Sequence, residues 1–271
     1  MSLDVIPIGV LFAATIILVV IAIEAGYRLG KAVHRRSEKE KEASVSAIVG
    51  AILGLVAFIL AFTFEIVSNR YDARKALVCD EANAISTAYL RTEFMSEPDR
   101  GKTKKLFKEY VDARVAVANS RDFENVQKVL TEANLFQHQL WDMAVANAFK
   151  DMHSPVAALY IDSLNKVIDI HALRVAVGLR ARIPAGIWLV LYIIVVLGMV
   201  GVGYQTAITG STERSWAMPL LALAFSLVIA LIASLDRPQS GFITVTQQPL
   251  VDLQASMATD LAAPSGGGTT K

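Results

Sequence analysis

Between Gly54 and Lys75 the chain passes from an apolar, membrane-length segment into a charged one without a helix breaker. The run Phe58-Ile-Leu-Ala-Phe62-Thr-Phe-Glu65-Ile-Val-Ser-Asn69-Arg70-Tyr71-Asp72-Ala-Arg74-Lys75 contains neither Gly nor Pro. It predicts one rigid helix that carries the same face out of a bilayer and into water.

The 271-residue chain is 54% hydrophobic, too apolar for a soluble globule of this size. Four runs, Val5–Ile23, Val45–Phe64, Ile183–Tyr204 and Trp216–Leu235, reach the about 20 apolar residues a bilayer crossing requires. The first lacks a basic leader and a small-x-small cleavage site, so it is expected to be a retained span rather than a signal peptide. The expected division is residues 1–68 for the first two spans and their basic loop, and 69–182 for a helical extramembrane domain. Residues 183–236 hold the last two spans, 237–262 an ordered tail, and 263–271 a flexible, glycine-rich end.

Within the extramembrane segment the apolar spacing is helical, as at Leu106, Tyr110, Ala113 and Val117, with no sustained period of two. Pro98 is expected to end the long rod. Ser154-Pro155 reads as an N-cap with proline in the first turn, and Pro184 as the start of the third span. After the fourth span a turn at 236–241, a short extended stretch at 242–246 and a helix from Gln247 are expected.

Several functions are disfavoured. A net charge of +1 with no basic–aromatic block argues against a nucleic-acid partner. Cys79 is the single cysteine, so no intrachain disulfide can form. His138 and Asp142 have an i, i+4 spacing that could chelate a metal, but no third ligand accompanies them and they read as ordinary polar residues facing water on a helix. His-x-x-Glu-His, Gly-x-Ser-x-Gly and Cys-x-x-Cys patterns are absent, so neither an enzyme, a cofactor nor a metal is expected.

Helical arithmetic at about 100° per residue sharpens the second span. Setting Phe58 at zero, Phe62 falls near about +40°, Glu65 about −20°, Asn69 about +20° and Asp72 about −40°, with Gly54 also at about −40°. One narrow face thus runs Gly, Phe, Phe, Glu, Asn, Asp. In a ring of identical subunits it could line a pore, with Gly54, Phe58 and Phe62 as an apolar neck that gates by dewetting and Glu65, Asn69 and Asp72 as a wetter vestibule. Carboxylates there would favour cations. The competing reading packs Phe58 and Phe62 against the other spans of the same chain. Asp80, Glu81 and Asn83, with Arg70, Arg74 and Arg91 along the same rod, are expected to form an ion-pair network. His171, in Asp169-Ile-His171-x-x-Arg174, is expected in a second polar network.

Phe58-x-x-x-Phe62 followed by Arg70-Tyr71, the stretch Tyr71-Asp-Ala-Arg74-Lys75, and the tail Asp236-x-Pro238-x-x-Gly241 with Pro249-Leu250-x-x-Leu253 resemble the bestrophins. The stretch from Val78 to Arg91 and Gln247-Gln248-Pro249-Leu250 are similar to a bacterial bestrophin-like group whose function is not established. The resemblance implies an all-α integral membrane protein with four transmembrane helices, a helical domain between the second and third, and a pentameric ring. It implies an ion channel whose partners are the lipid bilayer, further copies of itself and permeating inorganic ions. The alternative is a non-conducting scaffold or sensor whose helical domain binds a partner. The dense acidic run that clasps calcium in animal bestrophins is missing, so calcium gating is not implied. The resemblance also places the chain in the bacterial inner membrane with its helical domain in the cytoplasm. Arg28, Lys31, Arg35, Arg36, Lys39 and Lys41 in the first loop point the opposite way by the positive-inside rule. We follow the resemblance.

Overall fold

A computed structural model describes residues 6–34, 42–119, 123–209, 217–237 and 241–263. The expected flexible end beyond residue 263 lies outside the described residues, as do most of the first loop's basic residues. Among the described residues every regular element is helical. These are α1 (Ile8–His34), α2 (Glu42–Arg91), α3 (Asp99–Asn119), α4 (Phe123–Ala148), α5 (Pro155–Val175), α6 (Ala185–Ile208), α7 (Ala217–Asp236) and α8 (Gln248–Ala262). Four of them, α1, α2, α6 and α7, are long and apolar enough to cross a membrane. The chain divides into two compact units, one of residues 1–71 and 182–244, the other of residues 72–181 and 245–271. The 50-residue α2 is unbroken and contributes to both.

The first unit is built on close approach of α1 and α6. A Cβ added to Gly26 would lie 2.0 Å from the Val200 carbonyl oxygen, and one on Gly203 would lie 2.0 Å from that of Ile23. Side chains are excluded there, which lets the two backbones touch in the manner of small-residue seams between membrane helices. α2 joins through Val49 and Val56, which meet Gly201 and Gly198 of α6. Val19, Val56, Val67, Leu191, Val195 and Ile229 are fully buried in the resulting core. The outward faces of α1, α6 and α7 carry Ile17, Ile21, Leu189, Leu197, Leu220 and Leu227, the aliphatic surface that hydrocarbon chains solvate.

Asp236, at the C-terminal end of α7, ties three helices together. Its carboxylate accepts from the Ile183 amide at 3.1 Å, just ahead of α6, and from Arg70 of α2 at 3.4 Å. Its backbone carbonyl accepts from Arg182 at 3.2 Å. Two motifs far apart in sequence, the arginine after the second span and the acid after the fourth, therefore meet in one contact. The chain then folds back on α7. Ser234 Oγ accepts the amides of Phe242 and Ile243, and a Cβ on Gly241 would lie 2.4 Å from the Ser234 carbonyl oxygen.

In the second unit, α2, α3, α4 and α5 pack around Ile85, Phe107, Tyr110, Leu140 and Leu164, with Leu250 and Met257 of α8 buried in the same core. Ser154 caps α5 as expected, accepting from the Ala157 amide at 3.4 Å with Pro155 behind it. Pro98 does not end the rod. The α-helix stops at Arg91, where the Thr92 hydroxyl donates to the Tyr89 carbonyl at 2.6 Å and a 3₁₀ turn over Thr92–Phe94 follows. Residues 242–247 form no regular element, and α8 begins at Gln248.

Candidate functional site

Within about 40° of Phe58, at about 100° per residue, lie positions 44, 47, 51, 54, 58, 62, 65, 69, 72, 76, 80, 83, 87 and 90 of α2. All fourteen are exposed. The opposite side of the helix supplies Val56, Leu60, Thr63, Val67, Arg74, Val78, Glu81 and Ile85, all buried. The two sides are sorted by packing in each unit. α2 buries Val56, Leu60, Val67, Val78 and Ile85 against its own chain and leaves a broad side exposed, which also carries Ile48, Leu55, Ile66 and Leu90.

The upper stripe is Ala51, Gly54, Phe58 and Phe62. Nothing approaches within 4 Å of where a Gly54 Cβ would sit. Phe58 and Phe62 are 56% and 51% exposed, with ring centroids 4.5 Å apart. The two rings tilt at 51° against each other along the helix, and among the described residues neither belongs to the buried core. Glu65, Asn69 and Asp72 follow on the same face, then Ala76, Asp80, Asn83 and Thr87. Cys79 is exposed at the edge of the stripe.

The polar residues expected to form one network are distributed differently. Arg70 goes to Asp236. Arg91 donates to the Leu159 carbonyl at 2.5 Å and lies 3.8 Å from Asp162. Asp80 and Asn83 are exposed, where with Thr87, Arg91, Ser163 and Lys166 they line an open groove of about 310 Å³ between α2 and α5. Arg74 is buried.

Glu81 also turns into the core, and its partners come from other helices. Arg114 of α3 grips it with two nitrogens, Nε to Oε1 at 3.0 Å and Nη2 to Oε2 at 3.3 Å. Arg174 of α5 donates to Oε2, and its other terminal nitrogen donates to Gln247 Oε1 at 2.9 Å. The Gln247-Gln248-Pro249-Leu250 motif thereby anchors the tail, one glutamine on the cluster and Leu250 in the core. Tyr110 Oη accepts from Gln137 at 3.1 Å and lies 3.4 Å from His171 Nδ1.

Burial sets the charges here. It holds the His171 imidazole down to about 4, helped by the nearby Arg114 charge, so the ring is neutral near pH 7 although Nδ1 lies 3.7 Å from Glu81. Burial likewise lowers the Arg174 guanidinium to about 10 and lowers that of Arg114. Both stay cationic around one carboxylate, an arrangement that clamps α2, α3, α5 and the tail. Arg114 carries no local sequence signal as a partner of Glu81, since only packing of α3 on α2 brings them together. His138 and Asp142 both lie exposed on α4.

A family model described as a Bestrophin-like domain matches residues 8–250. Two crystal structures described only as a membrane protein, in two variant forms, share the fold. One has a TM-score of 0.64 at 13% identity, covering 95% of this chain and 99% of its own. The other has a TM-score of 0.61 at 13% identity, covering 97% of this chain and 99% of its own. No curated protein matches the sequence.

Proposed function

The chain belongs to the bestrophin-like family, and from that premise we propose that it is a homo-oligomeric ion channel, a pentameric ring with α2 innermost, rather than an enzyme. One observation carries this reading. A single helix keeps one side exposed along its length, with Gly54, Phe58 and Phe62 in its apolar part and Glu65, Asn69, Asp72, Asp80 and Asn83 beyond, interrupted by Ala76 and followed by Thr87 and Leu90. In the ring, Gly54 lets neighbouring α2 helices approach, Phe58 and Phe62 form a dewetting neck, and Glu65, Asn69 and Asp72 line the wetter vestibule. The ring sits in the bacterial inner membrane with the helical domain in the cytoplasm.

The test is ion flux from liposomes that hold the purified protein, paired with an image of the solubilised particle. Five-fold symmetry and flux that rises when Phe58 and Phe62 become alanine are the expected results. Folded protein that conducts in neither form overturns the reading. A non-conducting scaffold draws on a different observation, the 70% and 74% exposure of Phe149 and Met152 in the turn between α4 and α5. It predicts a particle without a central axis.

A further inference from the structure

In the second unit the exposed side of α2 is wider than a single pore-facing line. With Phe58 again at zero, its exposed residues run from Lys75 at about −100° through Cys79 at about −60° to Asp80 at about +40° and Ala73 at about +60°. The two flanks are unlike. One turns toward α5 and carries the groove, with Asp80, Asn83, Thr87 and Ser163 in its lining. The other carries Lys75. The cations of the groove, Arg91 and Lys166, both lie against Asp162, at 3.8 Å and 3.2 Å, and leave Asp80 to others. Among the described residues neither Asp80 nor Lys75 makes an ion pair, and Asp72, at the i, i+3 spacing from Lys75, makes none either. Lys75 and Asp80 cannot meet within one chain, because they are five residues and about 140° apart around the helix.

We infer that the groove beside Asp80 is an interface between copies of this chain, in which the ammonium of Lys75 of the partner subunit meets the Asp80 carboxylate. The inference rests on the ring reading above and names a contact that closes the ring. In a closed ring each copy meets its two neighbours through two different flanks. Here one flank offers an acid and a groove, the other a base. Like flanks set side by side in parallel would oppose Asp80 to Asp80, so the charges select the head-to-tail arrangement. Lys75 lies about 7.5 Å along the axis from the level of Asp80, a step that the flexible four-carbon stem of lysine spans between neighbouring parallel helices. The Asn83 carbonyl and the Thr87 and Ser163 hydroxyls provide acceptors for the other ammonium protons. An exposed pair adds little binding energy, so its part is to fix register and order around the ring.

Zero-length carbodiimide coupling of the wild-type protein in detergent tests the contact, since it joins an amine to a carboxylate, with loss of water, only where the two touch. The expected product is a ladder of covalent multimers beyond the dimer, with a Lys75–Asp80 amide found by mass spectrometry of those bands. Lys75→Asp or Asp80→Lys alone should lower the multimer yield at least threefold, and the exchange Lys75→Asp/Asp80→Lys should restore it. Both positions are exposed, so thermal unfolding of the subunit is the control that folding is kept. A ladder that stops at the dimer, an exchange that restores nothing, or a ring-shaped particle without the Lys75–Asp80 amide overturns this inference and leaves the pore reading standing. Particles that are single subunits overturn both.

Discussion

Gly26 and Gly30 of α1 and Gly50 and Gly54 of α2 share the same four-residue spacing. In α1 that spacing is used within the chain. Gly26 is pressed on the Val200 backbone, and a Cβ on Gly30 would stand 2.8 Å from the Ala207 side chain. In α2 neither glycine has anything within 4 Å of its Cβ position. The same small-residue geometry is consumed in one helix and left open in the other. The α1 pair is therefore part of how the subunit folds. The α2 pair takes no part in that packing among the described residues, and Gly54 lies on the exposed side with Phe58 and Phe62.

The largest expected effect breaks the comparison on its packed side. Gly203→Leu must displace backbone, so it should cost about 3 kcal/mol or more and yield little folded protein, read as thermal unfolding and monodispersity in detergent. Gly54→Leu should unfold within about 0.5 kcal/mol of wild type while changing the size of the assembled particle. If both substitutions prove equally damaging, the distinction between the two faces collapses.

Removing Glu81 probes the buried counterpart of the stripe's carboxylates. Glu81→Ala leaves Arg114 and Arg174 buried against each other, so a loss of about 3–5 kcal/mol is expected in unfolding experiments. Asp80→Ala, one residue away on the exposed face, should cost less than about 0.5 kcal/mol.

His171 gives a pH dependence of definite sign. Its folded value is lowered from 6.5 to about 4, so the unfolded chain binds the proton more readily. Its stabilising contribution is complete above about pH 6.5 and is lost as pH falls toward about 4, up to about 3 kcal/mol in all. The melting temperature of the wild type should drop over that window more steeply than that of His171→Asn. Parallel pH curves would show that the ring is not held neutral by the fold. The smallest stability effect is expected at Phe58→Ala/Phe62→Ala, within about 0.5 kcal/mol although two large side chains are lost, because neither enters the core.

The four membrane helices and the capped start of α5 were readable because composition, length and a local Ser-Pro signal determine them. The outward face of α2 was readable because helical periodicity alone places Phe58, Phe62, Glu65, Asn69 and Asp72 on one line. Contacts between helices were not. Arg70, Arg91 and Glu81 look like neighbours along one rod, yet they point to Asp236, Asp162 and Arg114, partners chosen by how other helices pack. The end of α2 was misplaced for a related reason. Proline is a loud breaker, whereas the stop at Arg91, ahead of a 3₁₀ turn over Thr92–Phe94, carries no comparable local signal.

Cys79 turns the exposed stripe into its own reporter. It is the chain's single cysteine and it is exposed at the stripe's edge, so any thiol-specific chemistry on the native protein reads that line and nothing else. Bridging reagents join thiols two at a time. A ring with an even number of copies can be linked to completion, whereas a ring with an odd number must always keep at least one thiol unpaired. Counting residual free thiols after exhaustive bridging would therefore report the parity of the assembly, without an engineered label and without any ion having to cross.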